Sequence, residues 1–128
     1  MPPRKSDILT EAELRLMDVL WQKERATVQQ VLDALPKSLS LAYNSVLTTI
    51  RILEKKGYVR HLKEGRAFVY VPVVERRDAT RSEIRRLVAR FFEDSHDLLV
   101  LNLLEERNLD AEELQRLRQL LEQSKEQP

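Results

Sequence analysis

The sequence contains no cysteine, only two glycines and only two histidines among its 128 residues. Without cysteine, disulfide bonds and thiolate metal sites are excluded, and the spacing of His61 and His96 does not match a metal-binding pair. The sequence also has neither a glycine-rich phosphate-binding loop nor a nucleophile beside a general base. These absences predict a protein that is not an enzyme and that carries no metal or other cofactor.

Long hydrophobic runs are also missing. No segment approaches the roughly 20 consecutive apolar residues of a membrane-spanning helix, and no apolar core follows the polar residues 1–8, as it would in a secretory signal. Hydrophobic residues nevertheless make up 42% of the chain, which is compatible with a folded core. We therefore expect a cytoplasmic protein without membrane insertion, built as one ordinary domain or as a small domain with an extension.

Charges of opposite sign are concentrated in different parts of the chain. Residues 76–90 hold six arginines against two acidic residues, a net charge of +4, whereas residues 91–128 have a net charge of −6. Residues 37–66 hold seven basic and two acidic residues, a net charge of +5. This segregation indicates that one end of the chain meets a polyanion and that the other does not.

The first half of the chain has the pattern of three consecutive helices. Thr10 and Thr27 each precede a Glu or Gln by three residues, which is the capping-box signal for a helix start. Ser38 or Ser40 is predicted to cap the third helix, which ends at Gly57. The inward-facing positions are predicted to be Leu14, Leu16, Met17, Leu20, Trp21, Val28, Val31, Leu32, Leu35, Val46, Ile50 and Leu53.

Two strand-like runs follow, at residues 58–63 and 67–71, and a short turn at Glu64-Gly65 joins them. A two-stranded hairpin needs a surface to pack on, and the three helices supply one. Ala26-Thr27 is a candidate for a short third strand. The predicted fold class is therefore mostly α with a small β-hairpin wing (α+β), a winged helix-turn-helix domain over residues 1–75.

A basic helix followed by a basic hairpin suggests duplex DNA as the partner, because phosphates dominate the affinity of such contacts. The third helix would lie in the major groove. The candidates for base contacts are Tyr43, Asn44, Ser45, Leu47, Thr48 and Arg51, and those for DNA backbone contacts are Lys55, Lys56, Arg60, Lys63 and Arg66. One alternative for these residues is an ordinary solvated surface, and the alternative for Leu47 is a place in the core. The alternative function is a winged-helix protein–protein interaction module without sequence-specific DNA binding.

The second half is predicted to be all-helical, with helices starting at Asp78 or Thr80, at Ser95 and at Asp110. Residues 98–104 are apolar around most of the helix circumference, and such a helix must be covered on several sides. A second copy of the chain would cover it, whereas a compact monomer is the alternative. Residues 76–128 are thus predicted to be a helical dimerisation domain that uses Leu87, Phe91, Leu98, Leu99, Leu101, Leu104, Leu114, Leu117 and Leu121.

The six arginines of residues 76–90 allow two interpretations. They either extend the basic surface toward DNA or pair with the acidic tail of the partner chain. Individual surface pairs of this kind would add little stability.

Several segments, in this order and spacing, resemble the penicillinase and methicillin-resistance repressor family. The segments are LTEAEL at 9–14, MDVLW at 17–21, TVQQV at 27–31, YNSVLTTI at 43–50, Gly65-Arg66 with Tyr70 and Pro72, and Leu98 to Asn102 with Leu114 and Leu117. The resemblance covers roughly residues 8–124. It implies a winged-helix transcriptional repressor that dimerises through its C-terminal helices and binds a dyad-symmetric operator.

The resemblance also implies a mechanism of release. In the best-known members a membrane sensor detects a β-lactam, and the repressor is then cleaved between an asparagine and a phenylalanine in its dimerisation region. The matching pair here is Asn102-Leu103, with leucine in place of phenylalanine. The alternative for Asn102 is structural, since one polar residue in a helical interface fixes register. A copper-responsive branch of the family carries cysteine ligands, which this chain lacks.

Overall fold

The computed structural model describes residues 8–107 and 110–126. Its elements are α1 (Glu11–Lys23), α2 (Val28–Ala34), a 3-10 turn (Lys37–Leu39), α3 (Tyr43–Lys56), β1 (Val59–Glu64), β2 (Ala67–Pro72), α4 (Arg76–Phe91), α5 (His96–Arg107) and α6 (Ala111–Glu126). The predicted fold class, mostly helical with one antiparallel hairpin, is confirmed. The chain divides into two compact units between Arg86 and Leu87, inside α4, whereas the sequence placed the limit between residues 75 and 76. Within the described residues, no helix is long and apolar enough to cross a membrane.

The capping boxes predicted for α1 and α2 are both present. At α1 the amide of Glu13 donates to the Thr10 hydroxyl at 3.2 Å, and the amide of Thr10 donates to the Glu13 carboxylate at 2.8 Å. Gly57 ends α3 with φ 89°, a left-handed conformation that glycine adopts without steric cost. Local interactions thus determine the starts of α1 and α2 and the end of α3.

The start predicted for α3 was wrong. The helix begins at Tyr43 behind Ala42, which offers no side-chain cap. Lys37–Leu39 closes a 3-10 turn, and Ser40 then adopts a left-handed φ of 49°, so neither predicted serine is in the extended conformation of an N-cap.

The start predicted for α4 was also wrong, because the helix begins at Arg76. The Arg76 guanidinium lies 4.7 Å from the centre of the Trp21 ring and 2.8 Å from a carboxylate oxygen of Asp18. The indole nitrogen of Trp21 donates to the Val74 carbonyl at 2.8 Å, just before the helix. These contacts hold Val74 and Arg76 against α1, so the helix begins at Arg76 and not at Asp78 or Thr80.

The caps predicted in the second half are confirmed. The amide of Leu98 donates to the Ser95 hydroxyl at 3.2 Å, and the amide of Glu113 donates to the Asp110 carboxylate at 2.8 Å. Both bonds satisfy an amide that the first turn of a helix leaves free. α5 and α6 therefore begin where the sequence places them.

The core of the first unit lies between the three N-terminal helices and the hairpin. Met17, Leu20 and Ile50 are fully buried, whereas Leu14, predicted to face inward, is 41% exposed. Tyr70 of β2 exchanges two backbone hydrogen bonds with Ala26, of 2.8 and 3.0 Å. The sheet has two strands, so the predicted third strand is present only as this single bridge, which joins the hairpin to the connection between α1 and α2.

The base of α3 is joined to α1 by a buried ion pair. The Lys56 ammonium lies 2.7 Å from a carboxylate oxygen of Glu13 and donates to the Ile8 carbonyl at 2.8 Å. Burial alone would raise the pKa of Glu13, but the hydrogen bond from Lys56, the hydrogen bonds with Thr10 and the Lys56 charge outweigh it, so the pKa lies below its ordinary 4.5. The pair therefore favours the folded state only while Glu13 is ionised.

We expect this pair to make stability depend on pH in the acid range. Because the Glu13 pKa is lower when folded than when unfolded, its contribution is complete above about pH 4.5 and disappears as the pH falls through the folded pKa. Glu13→Gln should remove at least about 1 kcal/mol at neutral pH, because it leaves the partly buried Lys56 ammonium without its anion. Thermal unfolding between pH 3 and pH 7 measures this difference, and two curves that stay equally far apart at every pH would contradict it.

Candidate nucleic-acid interface

Helix α3 separates a buried face from an exposed one. Val46, Ile50 and Leu53 are 0 to 1% exposed, as predicted, and they hold the helix against the core. The opposite side carries exposed side chains spaced three or four residues apart, which places them in one line along the helix. This outer stripe of α3 consists of Asn44, Thr48, Arg51 and Lys55.

The side chains of the outer stripe are available to a ligand. In the part of the chain that the structure describes, none of the four takes part in a hydrogen bond or an ion pair. They supply an amide, a hydroxyl, a guanidinium and an ammonium. Those groups are the ones that read base edges and bind phosphates in a DNA groove.

The other predicted base contacts lie at the edges of the stripe. Tyr43 is 44% exposed at the start of α3. Leu47 is half-buried and packs against the core, in line with the interpretation that it is a core residue. Ser45 is exposed, and its carbonyl accepts a hydrogen bond of 2.9 Å from the Thr49 hydroxyl.

The hairpin places its basic residues on different faces. Side chains alternate along a strand, so Lys63 shares the face of His61, and the register puts Tyr70 and Phe68 on that face too. Arg60 lies on the opposite face. Arg66 is in the turn, where Gly65 has φ 62°, and Glu64 beside it is paired with Arg25. Lys63 is thus on the face of the hairpin that contacts α3, Arg60 is on the opposite face, and Arg66 is at the tip of the hairpin.

A side-chain clasp joins α3 to β1. The Nδ1 atom of His61 lies 2.5 Å from a carboxylate oxygen of Glu54, and the His61 ring centroid is 4.9 Å from Phe68 and 5.7 Å from Tyr70. Burial, and next the Glu54 charge, raise the pKa of the Tyr70 hydroxyl above its ordinary 10.0, so the group stays protonated. No sequence pattern predicts this clasp, because Glu54 and His61 belong to different elements and meet only after folding.

Lys56 is placed differently from the other predicted backbone contacts. Its ammonium is occupied by Glu13 and by the Ile8 carbonyl, and its side chain is only 20% exposed. A phosphate contact would require breaking a buried pair, which is strongly unfavourable. We therefore leave Lys56 out of the interface.

The second unit exposes most of the residues predicted for dimerisation. Leu87, Phe91, Leu98, Leu101, Leu114, Leu117 and Leu121 are 41 to 64% exposed, and Leu99 and Leu104 are half-buried. Several of these side chains border a groove of about 640 Å³, which is lined by Leu87, Phe91, Phe92, Leu99, Asn102, Leu103, Glu105 and Glu106. The groove is open to solvent in the single chain.

The family profile described as Penicillinase repressor matches residues 9–123, which includes both the winged-helix unit and the exposed helices. The chain belongs to the penicillinase repressor family. The penicillinase repressor of Bacillus licheniformis is 33% identical over 122 residues, 95% of each chain. The methicillin resistance regulatory protein MecI of Staphylococcus aureus strain N315 is 25% identical over 113 residues, 88% of this chain and 92% of that protein.

A solved structure supports the same family assignment for the first unit. The DNA-binding domain of the repressor BlaI is 33% identical, with a TM-score of 0.51, over 59% of this chain and 92% of that domain. The chain is thus a penicillinase repressor family protein, a transcriptional repressor of the BlaI and MecI type with a winged-helix DNA-binding domain. The penicillinase repressor and BlaI are both repressors and not enzymes, in line with the sequence prediction.

Proposed function

We propose that two copies of this repressor bind a dyad-symmetric operator in the cytoplasm, with one α3 helix in each of two successive major grooves. The observation that supports this most directly is the outer stripe of α3, four exposed polar and basic side chains without partners in the described chain. The buried face of the same helix is fixed to the core, so the stripe is held rigidly. A symmetric dimer would separate the two helices by about 34–36 Å.

The stripe divides naturally into base-reading and phosphate-binding positions. The amide of Asn44 suits adenine, the guanidinium of Arg51 suits guanine, and the Thr48 methyl suits the methyl group of thymine. Tyr43 and Ser45 would lie beside them at the start of the helix. Lys55, Lys63 and Arg66 would bind phosphates on either side of the groove. Leu47 and Arg60 are not included, because one packs on the core and the other faces away.

Binding to the DNA upstream of its own reading frame tests the proposal. Footprinting on that duplex should show two protected half-sites about one helical turn apart. An unprotected duplex at 50 mM salt and micromolar protein would exclude a repressor that controls its own promoter. Equal, weak binding to this duplex and to random sequence would favour the protein-interaction module instead.

The assignment of Lys63 and Arg66 to phosphate contacts predicts how operator affinity changes with salt concentration. Each phosphate contact contributes ~0.9 to the slope of log affinity against log salt, so Lys63→Gln or Arg66→Gln should reduce the slope of a symmetric dimer by ~1.8. Arg60→Gln is the matched control, because it removes the same charge from the opposite face of the hairpin. Fluorescence anisotropy from 50 to 300 mM salt measures the slopes. Equal slopes for the Arg60 and Lys63 variants would contradict the assignment.

We propose that the exposed helices of the second unit bind a second copy of the chain. Most of their leucines are solvent-exposed in the single chain, and exposed apolar surface on this scale marks interaction sites. The predicted residues that carry the interface are Leu87, Phe91, Leu98, Leu99, Leu101, Leu104, Leu114, Leu117 and Leu121. One half-site alone offers little contact, so tight operator binding requires both copies, and separating them releases the DNA by mass action.

Regulated cleavage between Asn102 and Leu103, after a signal from a membrane-anchored sensor protease, is a second proposal. Both residues border the groove of the second unit, and they lie within α5. The side-chain amide of Asn102 donates to the Leu98 carbonyl at 2.8 Å, which holds the residue before the cut against the preceding turn of α5. Cleavage therefore requires local opening of α5.

Exposure of the repressor to its cognate sensor protease should produce a fragment that ends at Asn102. Asn102→Ala removes the residue before the cut and the hydrogen bond to Leu98, so the variant should open more easily but remain uncleaved. Mass spectrometry of the fragments measures both outcomes. Intact repressor together with restored transcription would contradict cleavage as the release step.

A further inference from the structure

Helix α4 carries a line of arginines without partners. Arg77, Arg81 and Arg85 are four residues apart, which places them on one side of the helix, and all three are exposed. Within residues 8–107 and 110–126, no ion pair involves any of them. We call this row the arginine stripe. It is the largest concentration of unpaired like charge on one helix of the described chain.

The arginine stripe acts against the stability of its own helix. Like charges four residues apart destabilise a helix by about 0.2–0.5 kcal/mol per pair, and the stripe contains two such pairs. Arg77 also lies in the first turn of α4, where the helix dipole disfavours a cation. Negative charges supplied by another molecule would therefore offset the repulsion between the arginines of α4.

The second unit has the complementary arrangement. Glu105 and Glu106 are adjacent and exposed in the last turn of α5, where the helix dipole disfavours an anion. None of the ion pairs in the described residues involves either of them. Among the described residues, the arginine stripe and these two glutamates are therefore both without ion-pair partners.

The position of α4 favours a protein partner for the stripe over DNA. Helix α1 contacts α3 through Glu13 and Lys56, and it contacts α4 through Asp18 and Arg76. Helix α1 thus lies between the recognition helix and α4. On α4 the residues that border α1 are Arg76, Ala79, Thr80, Glu83 and Ile84. By helical spacing Arg85 lies opposite this set and Arg81 lies to one side of it, whereas Arg77 is next to Ile84 at its edge.

We propose that the arginine stripe of each copy pairs with Glu105 and Glu106 of the second copy, so that dimerisation depends on charge as well as on leucines. The inference depends on the proposed homodimer. In a symmetric dimer every pairing occurs twice, which makes a modest surface contribution measurable. The pairing also determines which chains associate, because a partner without these carboxylates leaves the stripe unpaired.

A charge swap tests the pairing directly. Arg81→Glu/Arg85→Glu and Glu105→Lys/Glu106→Lys should each weaken self-association of the full chain by at least about 10-fold, because each places like charges together twice. An equimolar mixture of the two variants should associate like the wild type, since every stripe then meets opposite charge. Sedimentation equilibrium measures the dimer Kd, and circular dichroism confirms the helix content of each variant.

Neutral substitutions provide a second measurement. Arg81→Gln/Arg85→Gln removes the repulsion within α4, so it should not harm folding, and it should abolish the weakening of the dimer between 0.1 and 0.5 M salt. A mixture that fails to restore association, or a neutral variant with unchanged salt dependence, would overturn the pairing. If the wild type is monomeric at every concentration, the homodimer itself is wrong. A loss of operator affinity without any change in dimer Kd would instead assign the stripe to DNA.

Discussion

Replacement of Arg51 by alanine should weaken operator binding by at least about 30-fold. Arg51 is exposed on the outer stripe of α3 and has no hydrogen bond or ion pair in the described chain, so its guanidinium is free to form a bidentate contact with guanine. Such a contact is worth about 1–3 kcal/mol, and a symmetric dimer makes it twice. The expected loss is therefore about 2–6 kcal/mol, the lower limit of which corresponds to the 30-fold change.

Two control variants separate base reading from charge. Arg51→Lys keeps the positive charge but loses the fork that binds two acceptors, so most of the affinity for the specific site should still be lost. Arg15→Ala removes an arginine from α1 that is paired with Glu11, four residues away, and it should leave Kd unchanged. The measurement is anisotropy on the footprinted duplex at 150 mM salt. Full affinity of Arg51→Ala for that duplex would exclude α3 as the reading helix.

Asn44→Ala should also weaken operator binding in the same assay, but less than Arg51→Ala does.

The outer stripe of α3 could be predicted from the sequence alone. It follows directly from the spacing of Val46, Ile50 and Leu53, since the apolar face of a helix defines the opposite polar face. The capping boxes and Gly57 are equally local signals. These three kinds of feature, each determined by a few neighbouring residues, were therefore predicted correctly.

Most of the errors concern features that depend on contacts outside the local segment, whereas the misplaced start of α3 comes from the local turn at residues 37–40. Lys56 looked like any other exposed cation at a helix end, but its partner Glu13 lies 43 residues away. The start of α4 depends on Trp21 and Asp18, which belong to α1. The clasp between Glu54 and His61 likewise forms only when β1 returns along α3. Sequence periodicity does not report which residues meet after folding, so these contacts were missed.

Leu117→Glu should weaken self-association by at least about 100-fold. Leu117 is 43% exposed on α6, on the same side as Leu114 and Leu121, where the second copy is proposed to bind. The substitution would bury an unpaired carboxylate in the interface, which costs several kcal/mol in protein interiors, and symmetry applies the cost twice. Gln119→Glu is the matched control, because it adds the same charge on the opposite side of α6 and should leave the dimer intact.

The consequence for DNA binding follows from linkage. A Leu117→Glu monomer would hold one half-site only, so the effective concentration that couples the two α3 helices is lost, and operator affinity should fall by a factor of about 10² or more. The core of the first unit contains no residue of α6, so its thermal unfolding should remain near that of the wild type. Sedimentation and anisotropy on one sample measure both effects. If the variant is monomeric yet binds the full operator as tightly as the wild type, dimerisation is not what makes repression tight, and cleavage in α5 would then have no means of releasing the operator.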